Sequence, residues 1–448
     1  MKRLSVVLAV LSIFALVLSA CAPAAAPPAG EQPAAEQPAE QPAEAPAEEP
    51  AEEKAMEIQP VKIGVMIPLT GALSEFGPNF QKAAELAQKH LAEAGYEIEL
   101  VFGDTETNAI PAVETARQLV EVEGVHALVG AAASGVTVPI AESVTIPNQV
   151  PQISYASTSP LITNLPADEG QDFLFRTAAS DALQGVVLAS LAQAQGFEKV
   201  AVLYVNNPYG QGLTDVFKAN FEEMGGTVTA AIPHDENPAP TYQAELAQAA
   251  EGEPDALAAI SYPGHATVYL REALEAGLFD QFLFVDGTKS MEIVSAVGAE
   301  PLEGMCGTAG GSEETPSLDL FNQAYEAEYG ELPPLPFMTN TYDAVVIAAL
   351  AAYEAQIQGQ ELSGVAVRDH LRSVANPGGE VVTPGVEGMR KALQLLAEGQ
   401  EINYEGAAGS EDFDEFGDVV TPIEIWCYEG GELVTKQLVR PGEAIQLD

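Results

Sequence analysis

From Val61 onward the chain alternates short apolar segments with stretches of helical periodicity. VKIGVMIPL and HALVGA are typical of buried strands, and Asn79–Ala94 carries apolar residues at helical spacing between them. A second series begins after Arg176, with KVAVLYV, DALAAIS and FLFVDG as its strands. Strands that alternate with helices predict parallel sheets covered by helices on both faces. We therefore predict an α/β fold of two lobes with a cleft between them.

The last third of the chain carries a different pattern. Several helical stretches are followed by two strand-like segments, VVTPIEIWCY and ELVTKQLV, around a Glu-Gly-Gly turn. This part is too short for an obvious third lobe, so we expect it to complete the first two.

The charge balance narrows the range of partners. The 448 residues include 18 basic and 66 acidic side chains, a formal net charge of −48. Nucleic acid and anionic lipid both require a positive surface, so neither is expected as the main partner. Because 47% of the residues are hydrophobic and 19% charged, the chain is expected to bury a substantial core.

The first 21 residues have the pattern of an export signal. Lys2 and Arg3 precede an apolar run that ends in Leu-Ser-Ala-Cys at Cys21. The run is slightly short for a transmembrane helix. We predict a signal peptide over residues 1–20 and a lipobox in which Cys21 is lipidated, which places the protein outside the cytoplasm on a membrane anchor. The alternative is a Cys that ends an ordinary signal peptide.

Residues 21–59 continue from this cysteine with a biased composition. The segment consists almost entirely of Ala, Pro, Glu and Gln and has no apolar periodicity. Such a composition predicts an extended, self-repelling tether without a packed core. A lipid at one end and a tether behind it suit a folded part that works close to a membrane.

Motifs for catalysis or metal binding are absent from the sequence. It contains no G-x-S-x-G, H-E-x-x-H, C-x-x-C or G-x-x-x-x-G-K-[ST], and its five histidines are scattered. This favours a binding protein over an enzyme, with no cofactor and no metal. A secreted hydrolase on a two-lobed scaffold remains the alternative from another class.

Eight segments together resemble one known family. From about Val61 to the C-terminus the chain resembles the leucine/isoleucine/valine-binding type of ABC-transporter substrate-binding protein, which has the type I periplasmic-binding-protein fold. Each segment alone is weak evidence, whereas their order and spacing are specific. The segments are IGVMIPLTGALSEFG, ALVGAAASGVTVPIAES, ISYASTSPLIT, FRTAASDALQG, VAVLYVNNPYGQG, ISYPGHATVYLREALEAGL, FVDGTKS and INYEGAAGSEDFDEFGD.

The resemblance implies a carboxylate site in the first lobe. Ser134 follows a strand and starts a helix, where a hydroxyl and free backbone N–H groups favour an anion. Ala156 and Thr158 lie in the next strand-end loop. By resemblance, these three residues hold the α-carboxylate of a ligand. The alternative is that Ser134 and Thr158 are ordinary helix caps.

The resemblance also implies an ammonium site and an apolar wall. Asp286 follows the strand FLFV at the position of an acid that pairs with a ligand's α-ammonium. It is one methylene shorter than the Glu of the branched-chain binders, which leaves the exact ligand open. Phe76, Tyr209 and Tyr262 match aromatic residues that line the cleft. Lys289 is the one basic residue in these loops, which disfavours a dicarboxylate or phosphate.

Lobe boundaries and a hinge follow from the same resemblance. We expect an N-terminal lobe of residues 60–176 plus 312–402, and a C-terminal lobe of residues 177–311 plus 403–448. The hinge is expected in three crossover segments, and a ligand that bridges the lobes would stabilise the closed state. The crossover segments are Arg176–Ala178, Thr308–Gly311 and Asn403–Gly406.

The function implied is capture of a branched-chain or other apolar amino acid for an ABC importer. Its partners would be the permease and ATPase subunits, with the binding protein itself a monomer. Three alternatives stay open: a ligand such as urea or a short-chain amide, an aromatic acid, and a sensory subunit that presents its ligand to a receptor.

Two cysteines remain once Cys21 is lipidated. Cys306 and Cys427 lie in strand-like segments of the later third, and an exported protein meets an oxidising environment. We predict a disulfide between them; two buried free thiols are the alternative.

Overall fold

Two parallel sheets with helices packed around them form the framework of the molecule. The computed structural model describes residues 58–446, so the predicted signal peptide, Cys21 and nearly all of the predicted tether lie outside the described residues. The two-lobed α/β prediction is confirmed. Among the described residues, no helix has both the length and the apolar character needed to cross a membrane.

The first sheet has five parallel strands in the order β2-β1-β3-β4-β5. Its strands are β1 (Lys62–Ile67), β2 (Glu99–Asp104), β3 (Ala127–Val129), β4 (Gln152–Ser154) and β5 (Leu174–Arg176). The helices between them are α1 (Gly77–Ala94), α2 (Ala109–Arg117), α3 (Ser134–Ile140) and α4 (Pro160–Thr163).

The second sheet has four parallel strands in the order β7-β6-β8-β9. The helix α5 (Asp181–Ala194) leads into it. The sheet and its helices are β6 (Lys199–Val205), α6 (Pro208–Glu223), β7 (Thr227–His234), α7 (Gln243–Ala249), β8 (Ala256–Ile260), α8 (Pro263–Ala276), β9 (Phe282–Leu283) and α9 (Met291–Val297).

The later third supplies elements to both lobes, as expected. The helices α10, α11 and α13 contact α1 of the first lobe, and a small antiparallel sheet continues the second. These elements are β10 (Cys306–Gly310), α10 (Pro316–Tyr329), α11 (Met338–Ile357), α12 (Gly364–Ala375), β11 (Glu380–Val382), α13 (Val386–Ala397), β12 (Ile402–Tyr404), β13 (Ile423–Glu429) and β14 (Glu432–Val439).

Cys306 and Cys427 face each other in this antiparallel sheet. They are register partners of β10 and β13, and their sulfur atoms are joined at 2.01 Å. The bridge ties the strand that leaves the second lobe to the strand that re-enters it.

The chain passes between the two parts three times. Arg176, at the end of β5, is fully buried. It donates to Asp418, shortly before the third crossing, at 2.6 Å and to the carbonyl of Ser159 at 2.9 Å. The N–H of Gly311 in the second crossing donates to the carbonyl of Pro422 in the third at 2.8 Å. These bonds hold the three crossings together on one side of the molecule.

Several local features differ from the sequence expectations. The segment FLFVDG forms only the two-residue strand β9, after which Asp286–Thr288 makes a 3₁₀ turn. The N–H of Val285 donates to the hydroxyl of Thr288 at 2.9 Å, which closes that turn. β5 and β11, which the apolar pattern did not mark as strands, are only three residues long.

At the end of the predicted tether, the backbone N–H and carbonyl of Gln59 form two hydrogen bonds with the side chain of Gln356.

Candidate functional site

A cavity lies between the carboxyl ends of the two parallel sheets. Its empty space, part of which is open to solvent, amounts to about 330 Å³. In α/β proteins this edge of the sheet is where ligands bind, because the loops that follow the strands converge there. The lining residues come from both lobes: Leu73, Phe76, Phe80, Ala132, Ala133, Ser134, Ala156 and Phe337 from one, and Tyr209, Tyr262, Asp286 and Gly287 from the other.

The first lobe presents a helix start and small residues to the cavity. α3 begins at Ser134, whose hydroxyl accepts from the N–H of Ser159 at 3.2 Å and so keeps its own proton for another acceptor. Ala133 and Ala156 complete this wall with short side chains that leave the backbone accessible. A hydroxyl donor at the positive end of a helix is suited to a carboxylate.

Thr158 occupies a different place from the other two residues of the expected carboxylate site. It does not line the cavity, and its hydroxyl donates to Oδ2 of Asp181 at 2.9 Å. Its contact is therefore with a buried acid behind the cavity wall.

Asp286 lies on the opposite wall and is held by two donors. Its Oδ1 accepts from the hydroxyl of Tyr209 and from Nε2 of Gln184, each at 2.8 Å. The side chain is almost completely buried. Burial raises the pKa of this carboxyl, while the hydrogen bonds from Tyr209 and Gln184 lower it.

A second buried acid, Asp181, lies beside Asp286. Asp181 begins α5 one turn before Gln184, and it is fully buried. Its Oδ1 has no hydrogen-bond partner among the described residues. Burial raises the pKa of Asp181 well above its usual range, and the charge of Asp286 raises it further. The sequence reasoning missed this residue, although it stands in the quoted segment FRTAASDALQG.

Two buried carboxyl groups without a cation are an unfavourable arrangement for a protein alone. A positive group in the cavity beside Asp286 would reduce the repulsion between the two acids, although Asp181 itself does not line the cavity. An ammonium group with its three donors fits this requirement. The site is therefore suited to bind a cationic group at one wall and a carboxylate at the other.

Aromatic rings supply the apolar part of the cavity. Tyr209 and Tyr262 stack with their centroids 5.5 Å apart and an interplanar angle of 12°. The hydroxyl of Tyr262 accepts from Nδ2 of Asn207 at 3.1 Å, which fixes the ring. On the first lobe, Phe76 contacts Phe80 at 6.1 Å between centroids.

Two aromatic lining residues were not predicted. Phe80 lies one helical turn after Phe76, so the i, i+4 spacing in α1 was the available signal. Phe337 precedes α11 with a φ of 65° and belongs to a Pro-rich loop without periodicity, so no local pattern marked it.

Gly287 is required by close packing beside Asp286. A Cβ at this position would lie 2.3 Å from the carbonyl oxygen of Ser261 and 3.1 Å from the Tyr209 hydroxyl. The glycine lets the 3₁₀ turn approach β8 and brings Asp286 to the cavity.

The structure thus brings six of the seven predicted ligand-binding residues to one cavity. These are Phe76, Ser134, Ala156, Tyr209, Tyr262 and Asp286. In residues 58–446 no cluster of three or more His, Cys, Asp or Glu side chains is arranged to hold a metal ion.

Two lobes that enclose a cavity with polar ends and aromatic walls define a small-molecule-binding protein by class. A family model described as a periplasmic binding protein matches residues 60–392. The chain therefore belongs to the periplasmic binding protein family, and it is of the leucine/isoleucine/valine-binding type predicted from the sequence.

Two relatives illustrate the range of the family. The substrate-binding protein BasB of a chemotactic signal transduction system in Halobacterium salinarum is 26% identical over 395 residues, covering 86% of this chain and 91% of BasB. Leu/Ile/Val-binding protein homolog 1 of Brucella suis is 31% identical over 261 residues, covering 56% of this chain and 67% of that protein.

Three solved structures share the fold. A leucine-binding protein, LivK, of Thermotoga maritima has a TM-score of 0.71 at 25% identity and covers 85% of this chain and 99% of its own. LivJ of Streptococcus pneumoniae with isoleucine has a TM-score of 0.69 at 23% identity, and the match covers 86% of this chain and 100% of LivJ. A benzoate-bound solute-binding protein of Rhodopseudomonas palustris has a TM-score of 0.68 at 18% identity, and the match covers 87% of this chain and 98% of that protein.

Proposed function

We propose that this protein captures an apolar α-amino acid, of the branched-chain kind, between its lobes and delivers it to an ABC importer. The observation that carries this proposal is buried Asp286 in the cavity wall, with a second buried acid, Asp181, behind that wall. An α-ammonium placed at Asp286 would pair with that carboxylate and would offset its repulsion with Asp181. The α-carboxylate would lie at Ser134 and Ala156, with the side chain against Phe76 and Tyr262.

Binding of such a zwitterion would join the two lobes. The carboxylate site belongs to the loops of the first sheet and Asp286 to a loop of the second. A ligand that contacts both stabilises the closed arrangement by its differential affinity for closed and open forms. A permease would then distinguish loaded from empty protein by shape.

Location and anchoring are part of the same proposal. Membership in a periplasmic family supports an extracytoplasmic location. The basic residues, apolar run and Leu-Ser-Ala-Cys at the N-terminus support lipidation of Cys21, with the Ala/Pro/Glu-rich segment as the tether.

The proposed lobes are residues 60–176 plus 312–402 and residues 177–311 plus 403–448, with one change at the last boundary. The N–H groups of Ala407 and Ala408 donate to Asp343 of α11, each at 2.8 Å. Asp418 pairs with Arg176. We therefore assign residues 403–421 to the first lobe and place the last crossing near Pro422.

An aromatic acid is the second candidate ligand. The stacked Tyr209 and Tyr262 suit a flat ring, and the benzoate-bound neighbour shows that this fold accommodates such an acid in that protein. An aromatic acid without an ammonium group would leave Asp181 and Asp286 unpaired, which is why the amino acid is preferred. The role of BasB in chemotaxis likewise keeps a sensory role as an alternative to transport.

A thermal-shift screen of the mature protein tests the ligand class. The panel contains L-leucine, L-isoleucine, L-valine, benzoate, acetamide and urea, and D-leucine serves as the matched control. At about 100-fold excess over its Kd, a specific ligand stabilises the native state by about 2.7 kcal/mol. We expect the L-amino acids to raise the melting temperature by several degrees. A shift with benzoate or an amide and none with the amino acids would contradict the proposal.

A further inference from the structure

A carboxylate outside the cavity bridges the two lobes. Glu75 lies in the loop between β1 and α1, on the first lobe. Its side chain accepts hydrogen bonds from the hydroxyl of Ser290, from the N–H of Met291 at 3.0 Å and from the N–H of Glu292 at 3.3 Å. These three donors stand at the start of α9, which follows the second sheet.

The partners of Glu75 need an acceptor for a general reason. The first N–H groups of a helix have no partner within the helix and must be satisfied from outside. Ser290 is the N-cap of α9 and accepts from the N–H of Glu292 at 3.1 Å. Glu75 supplies the acceptor for the N–H of Met291, so the opposite lobe completes the cap.

A neighbouring contact on the same loop supports this role. The N–H of Gly264, at the start of α8, donates to the carbonyl of Ala72 at 3.1 Å. Ala72 and Glu75 belong to the loop that also presents Leu73 and Phe76 to the cavity. Closing the lobes therefore brings this loop against both α8 and α9.

We propose that Glu75 is a clasp between the lobes, a positioning residue that stabilises the closed form without touching the ligand. The identity of the ligand used to test it rests on the proposed function, but the clasp itself does not. Because Glu75 does not line the cavity, its contribution is the same for every ligand that closes the lobes.

The clasp works by hydrogen bonding and does not require a negative charge. Glu75 is largely buried, and this burial raises the pKa of its carboxyl, with the charge of Glu292 adding to the rise. Tyr428 of β13 is the other titratable group that faces it. Because the pKa of Glu75 is raised in the closed form, protonation of Glu75 as the pH falls favours that form. A neutral amide in place of the carboxyl can accept from Met291 and donate to Ser290.

The test compares Glu75→Ala, Glu75→Gln and the control Glu97→Ala, which removes an exposed acid between α1 and β2. Affinities are measured calorimetrically for L-leucine, L-isoleucine and benzoate, together with the unfolding free energy of the ligand-free protein. We expect Glu75→Ala to weaken each ligand that the wild type binds by the same factor, about ten-fold, since net hydrogen bonds are lost only from the closed form. Glu75→Gln and Glu97→Ala should stay within about two-fold of the wild type.

Three results would overturn the clasp. The first is an unchanged affinity in Glu75→Ala, and the second is a loss of affinity that differs between ligands. The third is a loss of affinity that is matched by an equal loss in the unfolding free energy of the ligand-free protein. If the wild type binds none of the three probes, the proposed ligand class fails. Hydrogen exchange in the ligand-free proteins then decides: slower exchange at Met291 and Glu292 in the wild type than in Glu75→Ala supports the clasp, and equal exchange overturns it.

Discussion

At the scale of single residues, the proposed specificity rests on the pairing of charges in the cavity. Asp286 is held by Tyr209 and Gln184, and Asp181 by Thr158, so both acids keep fixed positions without a ligand. A fixed acid loses little conformational freedom when a cation arrives, which makes the site preorganised. Specificity for an ammonium then follows from the penalty for leaving these acids unpaired.

Replacing Asp286 by Ala is expected to separate ligand classes. Loss of one partner of a buried ion pair costs about 3–5 kcal/mol, which is roughly 100-fold or more in affinity. We expect Asp286→Ala to lose L-leucine binding by at least this factor in a calorimetric titration. A ligand without an ammonium group should bind no worse than to the wild type.

The matched control is Asp280→Ala, which removes an exposed acid from the same lobe. It should leave the affinity for L-leucine unchanged. Equal loss in both variants would mean that overall negative charge, and not the position of Asp286, determines binding.

The sequence predicted the site only in part at this scale. Ser134, Ala156 and Asp286 were named from the family resemblance, and their positions in strand-end loops agree with it, since the carboxyl ends of parallel strands share one edge. Asp181 was missed because an acid in the first turn of a helix is ordinary, and its burial depends on packing between lobes. Phe337 was missed because it reaches the cavity from a loop at a positive φ.

At the scale of elements, strands with many apolar residues were predicted well and their partners were not. KVAVLYV and ELVTKQLV form β6 and β14 over the predicted residues. The antiparallel pairing of β13 with β10 and β14 could not be read from periodicity, since alternation does not specify a partner. β9 ends after two residues because the next residue, Phe284, pairs with β10: its N–H donates to the carbonyl of Cys306 at 3.0 Å.

The contact of α11 with residues 404–411 predicts a pH dependence of stability. Asp343 of α11 accepts from the N–H groups of Ala407 and Ala408 and from the Tyr404 hydroxyl. Burial raises the pKa of Asp343 to about 6. The pKa of neighbouring Glu411 is raised well above its usual range by burial and by the charge of Asp343. These raised pKa values mean that the pair binds a proton more readily than two solvent-exposed carboxyl groups do.

A group with a raised pKa in the folded state contributes stability below its unfolded pKa and loses it as the pH rises. This contribution should therefore decline between about pH 4 and pH 7. Glu411→Gln replaces this carboxyl group by an amide that does not titrate. We expect the unfolding free energy of this variant, relative to wild type, to rise by about 1–3 kcal/mol from pH 4 to pH 8. Denaturant unfolding at both pH values measures it, with exposed Glu401→Gln as the control; a constant difference would contradict the raised pKa of Glu411.

At the scale of the whole molecule, the net charge and the cavity agree in sign. A chain with a net charge of −48 disfavours a purely anionic ligand. The proposed zwitterion would bring its positive group to Asp286 and place its carboxylate at the start of α3. Each lobe would then supply one half of the recognition, which would couple binding to closure.

We propose that the cavity recognises both charged ends of an α-amino acid at once. The most direct measurement is a calorimetric comparison of L-leucine with 4-methylpentanoate, which lacks the ammonium, and 3-methylbutylamine, which lacks the carboxylate. We predict that L-leucine binds and that each analogue binds at least about 100-fold more weakly. The acid leaves buried Asp286 unpaired, and the amine leaves the Ser134 hydroxyl and the start of α3 without an acceptor. If 4-methylpentanoate bound as tightly as L-leucine, recognition of the ammonium group would be contradicted.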